Sequence, residues 1–380
     1  MRIGIITFYH NSINYGGNLQ AYALCEAIKK HTGCAVEQIS YDSSYQIKKS
    51  KRVTVKSLLR PLVKLARKAR QGLKDFGIHK KLKIRKKAFQ RFNKDVIRHS
   101  ARAYTKKDIS ACLENYDTFV AGSDQIWNPM WWDSVYRLEF VPSNKTKIAY
   151  AVSLGQKFLS YGQEDMLEAC MKDFKAISVR EEGSIELLSD LAPTAVEWTL
   201  DPTLLLDSSD WDLVVSERRV KEKYLFCYFL GDDIEQRKLA TALAEKYGLR
   251  LVTIPNIMGH KRKCDKGFGD IGLYDVSPAD FVSLIKHASL VITDSFHATV
   301  FSYIYKKEFV VLERTEHKAM STRISSLMSL IKLNDRFLST REMASIPYIE
   351  KLTPIDYGRD SEEFLYMKDK SIDFLRRNIK

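Results

Sequence analysis

In the stretch VITDSFHATV, residues 291–300, an apolar run ends on Thr293, Asp294 and Ser295, with His297 close behind. An imidazole whose ordinary pKa is about 6.5 can give and take protons near neutral pH. A second polar cluster follows another apolar run. YDTFVAGSDQIWNP sets Ser123, Asp124, Gln125 and Asn128 after residues 117–122, with Trp127 among them. Such groups hydrogen-bond sugar hydroxyls, and an indole stacks on a sugar face. In ISVREEG, Arg180 stands at the end of a third run. Its planar fork matches a carboxylate or a phosphate. In NYGGN, Asn14, Gly16 and Gly17 precede a helix, and glycines there let backbone N–H groups approach an anion. Each cluster has a plainer reading: an N-cap at residues 294–295, an Asx turn with a core Trp127, an Arg180–Glu181 or Arg180–Glu182 ion pair, and a tight turn at 14–18. NYGGN is not a GxGxxG fingerprint, and no acidic residue follows at ribose-binding spacing.

These clusters need strands to carry them. RIGIITF, CAVEQIS, YDTFVAG, KIAYAVS and FKAISV read as short buried strands alternating with helical segments. The pattern restarts at KYLFCYF and continues through LRLVTIP, SLVITD and EFVVLER. Alternation repeated twice predicts an α/β protein of two Rossmann-like, doubly wound domains facing across a cleft. Residues 1–205 form the first, with a basic helical insertion at about 47–107, and residues 222–345 the second. A last helix within 355–380 is expected to cross back. Open parallel sheets bind ligands outside the carboxyl ends of their strands. Gly17, Asp124, Arg180 and His297 all follow predicted strands and are expected to line one cleft.

The chain has 380 residues, long enough for two cores. With 45% hydrophobic residues it is globular rather than disordered. The opening MRIGIITFYH reads as a first strand rather than a signal peptide, so a cytoplasmic protein is expected. The six cysteines lie apart, with no metal-ligand spacing, and no metal site is expected. The net charge of +14 is uneven, with Lys and Arg concentrated in residues 47–94. Apolar residues there (Leu58, Leu62, Leu65, Ile84, Phe89, Phe92) fall at helical spacing. This predicts amphipathic helices that face an anionic membrane surface, against the plainer reading of a solvated insertion. A nucleic-acid partner is not expected, because no recognition module is present.

NYGGNLQAYAL, VAGSDQIWNP, ISVREEGSIELL, DPTLLL and VITDSFHATVFS occur in an order that resembles the polysaccharide pyruvyltransferase family. The resemblance implies a GT-B-like fold of two Rossmann domains. It implies transfer of the pyruvyl group of phosphoenolpyruvate onto two hydroxyls of a sugar, as a cyclic ketal, with release of phosphate. The acceptor would be a polysaccharide or its precursor, including a lipid-linked glycan, and the enzyme would sit in the cytoplasm or at the inner membrane face. By resemblance, Arg180 holds the donor and His297 is the general acid/base, with Asp124 a further catalytic candidate. Many members carry an Arg where this chain has Ser295, so Arg314 and Arg323 join Arg180, Ser295, Asn14, Gly16 and Gly17 as anion-binding candidates. Ser123, Asp124, Gln125, Trp127 and Asn128 are the acceptor-binding candidates. The scheme needs no cofactor. The alternative is a nucleotide-sugar-dependent glycosyltransferase on the same architecture.

Overall fold

A computed structural model describes residues 1–43, 61–129, 133–156, 158–160, 162–256, 262–314, 318–341, 343–358 and 360–379. Its short apolar runs form strands in two six-stranded sheets. The first contains β1 (Arg2–Ile6), β2 (Ala35–Gln38), β3 (Thr118–Asp124), β4 (Thr146–Val152), β5 (Phe174–Val179) and β6 (Val196–Trp198), in the order β2-β1-β3-β4-β5-β6. The second contains β7 (Tyr224–Tyr228), β8 (Arg250–Thr253), β9 (Ile271–Gly272), β10 (Leu290–Thr293), β11 (Phe309–Leu312) and β12 (Phe337–Leu338), in the order β12-β11-β10-β7-β8-β9. Every pairing is parallel. Parallel strands are covered on both faces, which is why β3 is buried at all seven positions.

Helices connect the strands. The first half carries α1 (Tyr15–Thr32), α2 (Pro61–Asp95), α3 (Gln163–Met171), α4 (Gly183–Ser189) and α5 (Ser208–Asp212). The second carries α6 (Ile234–Lys246), α7 (Pro278–Lys286), α8 (Phe296–Ile304), α9 (Lys318–Leu330), α10 (Ile346–Ile349) and α11 (Glu362–Asn378). In each sheet the strand order reverses once, between β1 and β3 and between β7 and β10. Ligand crevices open at such reversals. The loops that follow β1, β3, β7 and β10 therefore mark the place for chemistry in each half.

One apolar cluster runs through both halves, from Ile3 to Phe301 and Phe374. The Tyr15 ring, at the start of α1, stacks on Phe281 of α7 at 4.7 Å, and its hydroxyl donates to the Val276 carbonyl at 3.1 Å. Trp211 lies between Tyr22 and Phe301, with ring centroids 5.4 and 4.8 Å away. Helix α11 packs back on the first sheet. Its Ser371 hydroxyl accepts from the Leu200 N–H at 2.8 Å, and Arg377 pairs with Glu197 at 3.1 Å.

The basic insertion is partly in view; Leu58 and the rest of 47–60 lie outside the described residues. Toward its end, α2 docks on the second half. Arg85 is buried and donates to the carbonyls of Pro255, Leu273 and Tyr274 at 3.0, 3.3 and 3.2 Å. Phe89 and Phe92 enter the shared core. Ile84 does not join them: it is 41% exposed, because the docked face turns through residues 85, 89 and 92. Lys80, Lys83, Lys87, Arg91 and Lys94 are exposed on the other side. Among the described residues, no helix is long and apolar enough to cross a membrane.

Candidate functional site

The residues ahead of His297 are engaged in holding the second reversal together. The Thr293 hydroxyl donates to the Tyr228 carbonyl at 2.6 Å and accepts from the Ser295 N–H at 3.1 Å. Asp294 is fully buried and accepts from the N–H groups of Leu230 and Gly231 at 2.7 and 2.6 Å. Burial raises its pKa, against the opposing pull of Arg314 and those two bonds. The bonds tie the β10 turn to the β7 loop, and His297 emerges in the first turn of α8.

The imidazole then meets the first half of the molecule. It lies against Gly16: a Cβ built there would stand 2.0 Å from His297 Nδ1 and 2.3 Å from Cε1. Only a residue without a side chain allows that approach. On the other side, Nε2 stands 3.6 Å from Asp201 Oδ2 and, among the described residues, has no partner at hydrogen-bond length. Asp201 follows β6 and caps the turn at Pro202–Leu205. Its Oδ1 accepts from the Thr203 N–H and hydroxyl at 3.0 and 2.6 Å, and its Oδ2 accepts from Arg180 Nη1 at 2.8 Å. Burial alone would raise its pKa, but His297, Arg180 and Thr203 together hold it well below the usual carboxylate range.

Arg180 sits at the end of β5 with its side chain 2% exposed. Besides Asp201, it donates from Nη2 to Asp124 Oδ1 at 3.2 Å and from Nε to Glu181 Oε1 at 3.3 Å. The Phe296 ring covers its guanidinium at 5.2 Å. Burial disfavours the cation, yet the three carboxylates raise its pKa above the ordinary value. The open fork expected at Arg180 is therefore already engaged. Arg323, from α9, is the second buried cation. Its Nε is 3.9 Å from Glu181 Oε1 and, among the described residues, lacks a hydrogen-bond partner. Burial and the neighbouring Arg180 lower its pKa to about 10, so it stays charged at neutral pH. With its amide oxygen turned toward Arg323, Gln125 accepts from Nη1 and Nη2 at 3.1 and 2.9 Å. Arg314 donates from Nε to the Asp294 carbonyl at 3.1 Å.

The structure thus gathers Gly16, Asp124, Gln125, Arg180, His297 and Arg323, with Arg314 at the β10 turn. Other sequence candidates are placed elsewhere. Trp127 is fully buried, edge-on to Phe174 at 5.5 Å, and offers no face to a sugar. Ser123 is fully buried, and its hydroxyl donates to the Ala151 carbonyl at 2.8 Å. Asn128 is buried against Gly155. Asn14 caps α1 by accepting from the Gly17 N–H at 3.2 Å, and a Cβ on Gly17 would press on the Phe8 carbonyl at 2.6 Å. Ser295 is buried at the N-cap position of α8 without a side-chain cap bond. The plainer reading of Arg180, an ion pair with Glu181, is present beside its other contacts. Asp201 is not evident from sequence: it stands unassigned in DPTLLL, although an acid before a proline shortly after a strand is the signal that could have found it.

Chemically, the arrangement is an imidazole backed by a buried carboxylate, beside two guanidinium groups. Among the described residues, no group of three or more His, Cys, Asp or Glu could hold a metal ion.

A family profile described as polysaccharide pyruvyl transferase matches residues 14–316. No curated protein matches the chain. Among solved structures, a UDP-GlcNAc 2-epimerase from Methanocaldococcus jannaschii is 11% identical over 99% of this chain and 100% of its own, with a TM-score of 0.55. A complex of the Methanocaldococcus jannaschii UDP-GlcNAc 2-epimerase with UDP-GlcNAc and UDP is 12% identical over 100% of this chain and 98% of its own, with a TM-score of 0.50. The likeness is one of fold: two facing parallel sheets in a GT-B-like arrangement.

Proposed function

For this chain, which belongs to the polysaccharide pyruvyl transferase family, we propose transfer of the pyruvyl group of phosphoenolpyruvate onto a sugar of a polysaccharide or its precursor. The observation that carries the reading is the meeting of His297 with the Arg180–Asp201 pair across the two sheets. The donor's methylene carbon takes up a proton and its C2 becomes electrophilic. One sugar hydroxyl attacks C2 and loses its proton; phosphate leaves; the second hydroxyl closes the ketal and loses its own. His297 is the group placed to give and take these protons, and Asp201 is the carboxylate that orients it and offsets the charge of an imidazolium.

The donor brings a carboxylate and a phosphate. Arg323, whose Nε is unpaired among the described residues, is the first anchor for them, with Arg314 beside the same crevice. Arg180 acts chiefly by fixing Asp124, Glu181 and Asp201 in place. Asp124, Gln125 and the Gly16 backbone border the space left for the acceptor. Holding two hydroxyls at one carbon is an orientation problem, and a site built on the rims of two rigid sheets suits it. The exposed basic stripe of α2 fits peripheral contact with an anionic membrane surface, where a lipid-linked acceptor would lie.

The test is incubation with phosphoenolpyruvate and a panel of sugar acceptors, following phosphate release and acceptor mass. The expected product is an acceptor heavier by pyruvate less one water. Turnover of UDP-GlcNAc in place of phosphoenolpyruvate would overturn this reading in favour of a nucleotide-sugar glycosyltransferase.

A further inference from the structure

A groove of about 1010 Å³ opens beside the cluster, outside the residues given a role above. Its walls come from three places: Glu182 and Trp198 of the first half, the outer face of α9 around Ser325 and Ser329, and the start of α11 around Tyr366. It adjoins the site through Trp198, whose indole donates to the Arg180 carbonyl at 3.1 Å.

We propose that this groove is a binding site for the sugar units of the acceptor glycan that neighbour the one being modified. The proposal rests on the pyruvyl-transfer reading for the acceptor's chemical class. Two aromatic side chains stand in the walls, Trp198 half-buried and Tyr366 67% exposed. Flat rings serve the C–H faces of pyranoses. Serine hydroxyls, an asparagine amide, carboxylates and ammonium groups supply donors and acceptors for their hydroxyls. Charge argues against the donor as occupant: three glutamates, at 182, 362 and 363, face two lysines, at 332 and 370. Lys332 and Glu363 already pair at 2.8 Å. A site for a small dianion would hold an excess of cations. The volume is also at the upper end of small-molecule pockets, which span about 300–1,000 Å³. A neutral oligosaccharide meets both conditions.

The test uses an array of neutral hexose and N-acetylhexosamine glycans, from monosaccharides to hexasaccharides. It is probed with the wild-type chain and with Ser329→Arg and Tyr366→Ala, both at exposed positions. Expected is wild-type retention of at least one trisaccharide or longer glycan over its terminal monosaccharide. Each variant should weaken that retention by about tenfold, equivalent to roughly 1.4 kcal/mol. The thermal shift given by phosphoenolpyruvate should be unchanged in both. Competition by the free oligosaccharide, compared with the same glycan on a lipid diphosphate in neutral vesicles, separates a polysaccharide source from a lipid-linked one. Variants that bind like wild type, or a wild type that holds no glycan better than its terminal sugar, would overturn the groove. A missing phosphoenolpyruvate shift with glycan retention intact would instead overturn the donor.

Discussion

Adding one methyl group at Gly16 sets the helix of one half against the imidazole of the other. The Cβ of Gly16→Ala would start 2.0 Å from His297 Nδ1. Ordinary contact is about 3.5 Å, so the ring must retreat by about 1.5 Å. Overpacking of this kind costs about 1–3 kcal/mol. Alanine also brings a gain, since it is better than glycine inside a helix by about 1 kcal/mol. For a chain of this length each kcal/mol moves the thermal midpoint by about 1–2 °C. The decisive comparison is a double-mutant cycle with His297→Ala. Where the imidazole is absent, the new methyl has space, and Gly16→Ala should be neutral or stabilising by up to about 1 kcal/mol. The helix gain is common to both backgrounds and cancels in the cycle, so the coupling expected between the two sites is the overpacking cost, about 1–3 kcal/mol, read by urea or thermal denaturation. In phosphate-release assays the single variant should lose about 10²-fold in rate, the scale set by misplacement of a catalytic group by 1 Å. Equal destabilisation by Gly16→Ala in both backgrounds would refute the contact as the reason for glycine.

Asp201→Asn should lower kcat by about 10²-fold or more while leaving the KM for phosphoenolpyruvate nearly unchanged, because its proposed work is on His297. The same variant tests linkage. A carboxylate whose folded pKa is depressed stabilises the protein above its unfolded value of about 3.9 and loses that contribution as pH falls through the folded value, so Asp201→Asn should flatten the acid limb of a stability–pH curve. Arg323→Gln should raise the KM for phosphoenolpyruvate more than it lowers kcat; a change confined to kcat in steady-state kinetics would remove it as the donor's anchor. Asp294→Asn should cost about 1–3 kcal/mol in denaturation, since an amide has one oxygen where two backbone N–H groups now bond to two. Charge reversal to Glu at Lys80, Lys83, Lys87, Arg91 and Lys94 should abolish co-sedimentation with anionic vesicles at low salt, and pelleting equal to wild type would leave those charges merely solvated.

The strand ends are readable because parallel strands announce themselves as apolar runs, and the residues just beyond them are polar for a reason. Asp124, Arg180 and His297 are found by that address. Trp127 and Ser123 share the address and have a different fate. Both lie just past or within β3, but Trp127 turns under the sheet onto Phe174 and Ser123 bonds to the backbone of β4. Which way a side chain leaves a strand end depends on the neighbouring strand, and one sequence segment does not contain that. Asp201 is hidden for the complementary reason. Its importance comes from two residues 21 and 96 positions away that reach the same oxygen. The α2 stripe shows a third limit. Helical spacing groups Ile84 with Phe89 and Phe92, whereas the docked face is set by Arg85, a cation that covers three carbonyls of the other half.

The aromatic seam between the halves limits how the molecule can breathe. Fully parting Tyr15 from Phe281 and Trp211 from Phe301 would wet the meeting faces of four aromatic side chains, about half of the roughly 150–250 Å² that each buries, while Phe281 stays packed on Phe226 and Trp211 on Tyr22. At about 25 cal/mol per Å² that amounts to roughly 8–12 kcal/mol, comparable with the whole stability of most proteins. Wide jaw-like opening is therefore costly for this enzyme, on the scale of unfolding itself. Ligands would then come and go along the rim, through movements of loops and side chains rather than of the two sheets.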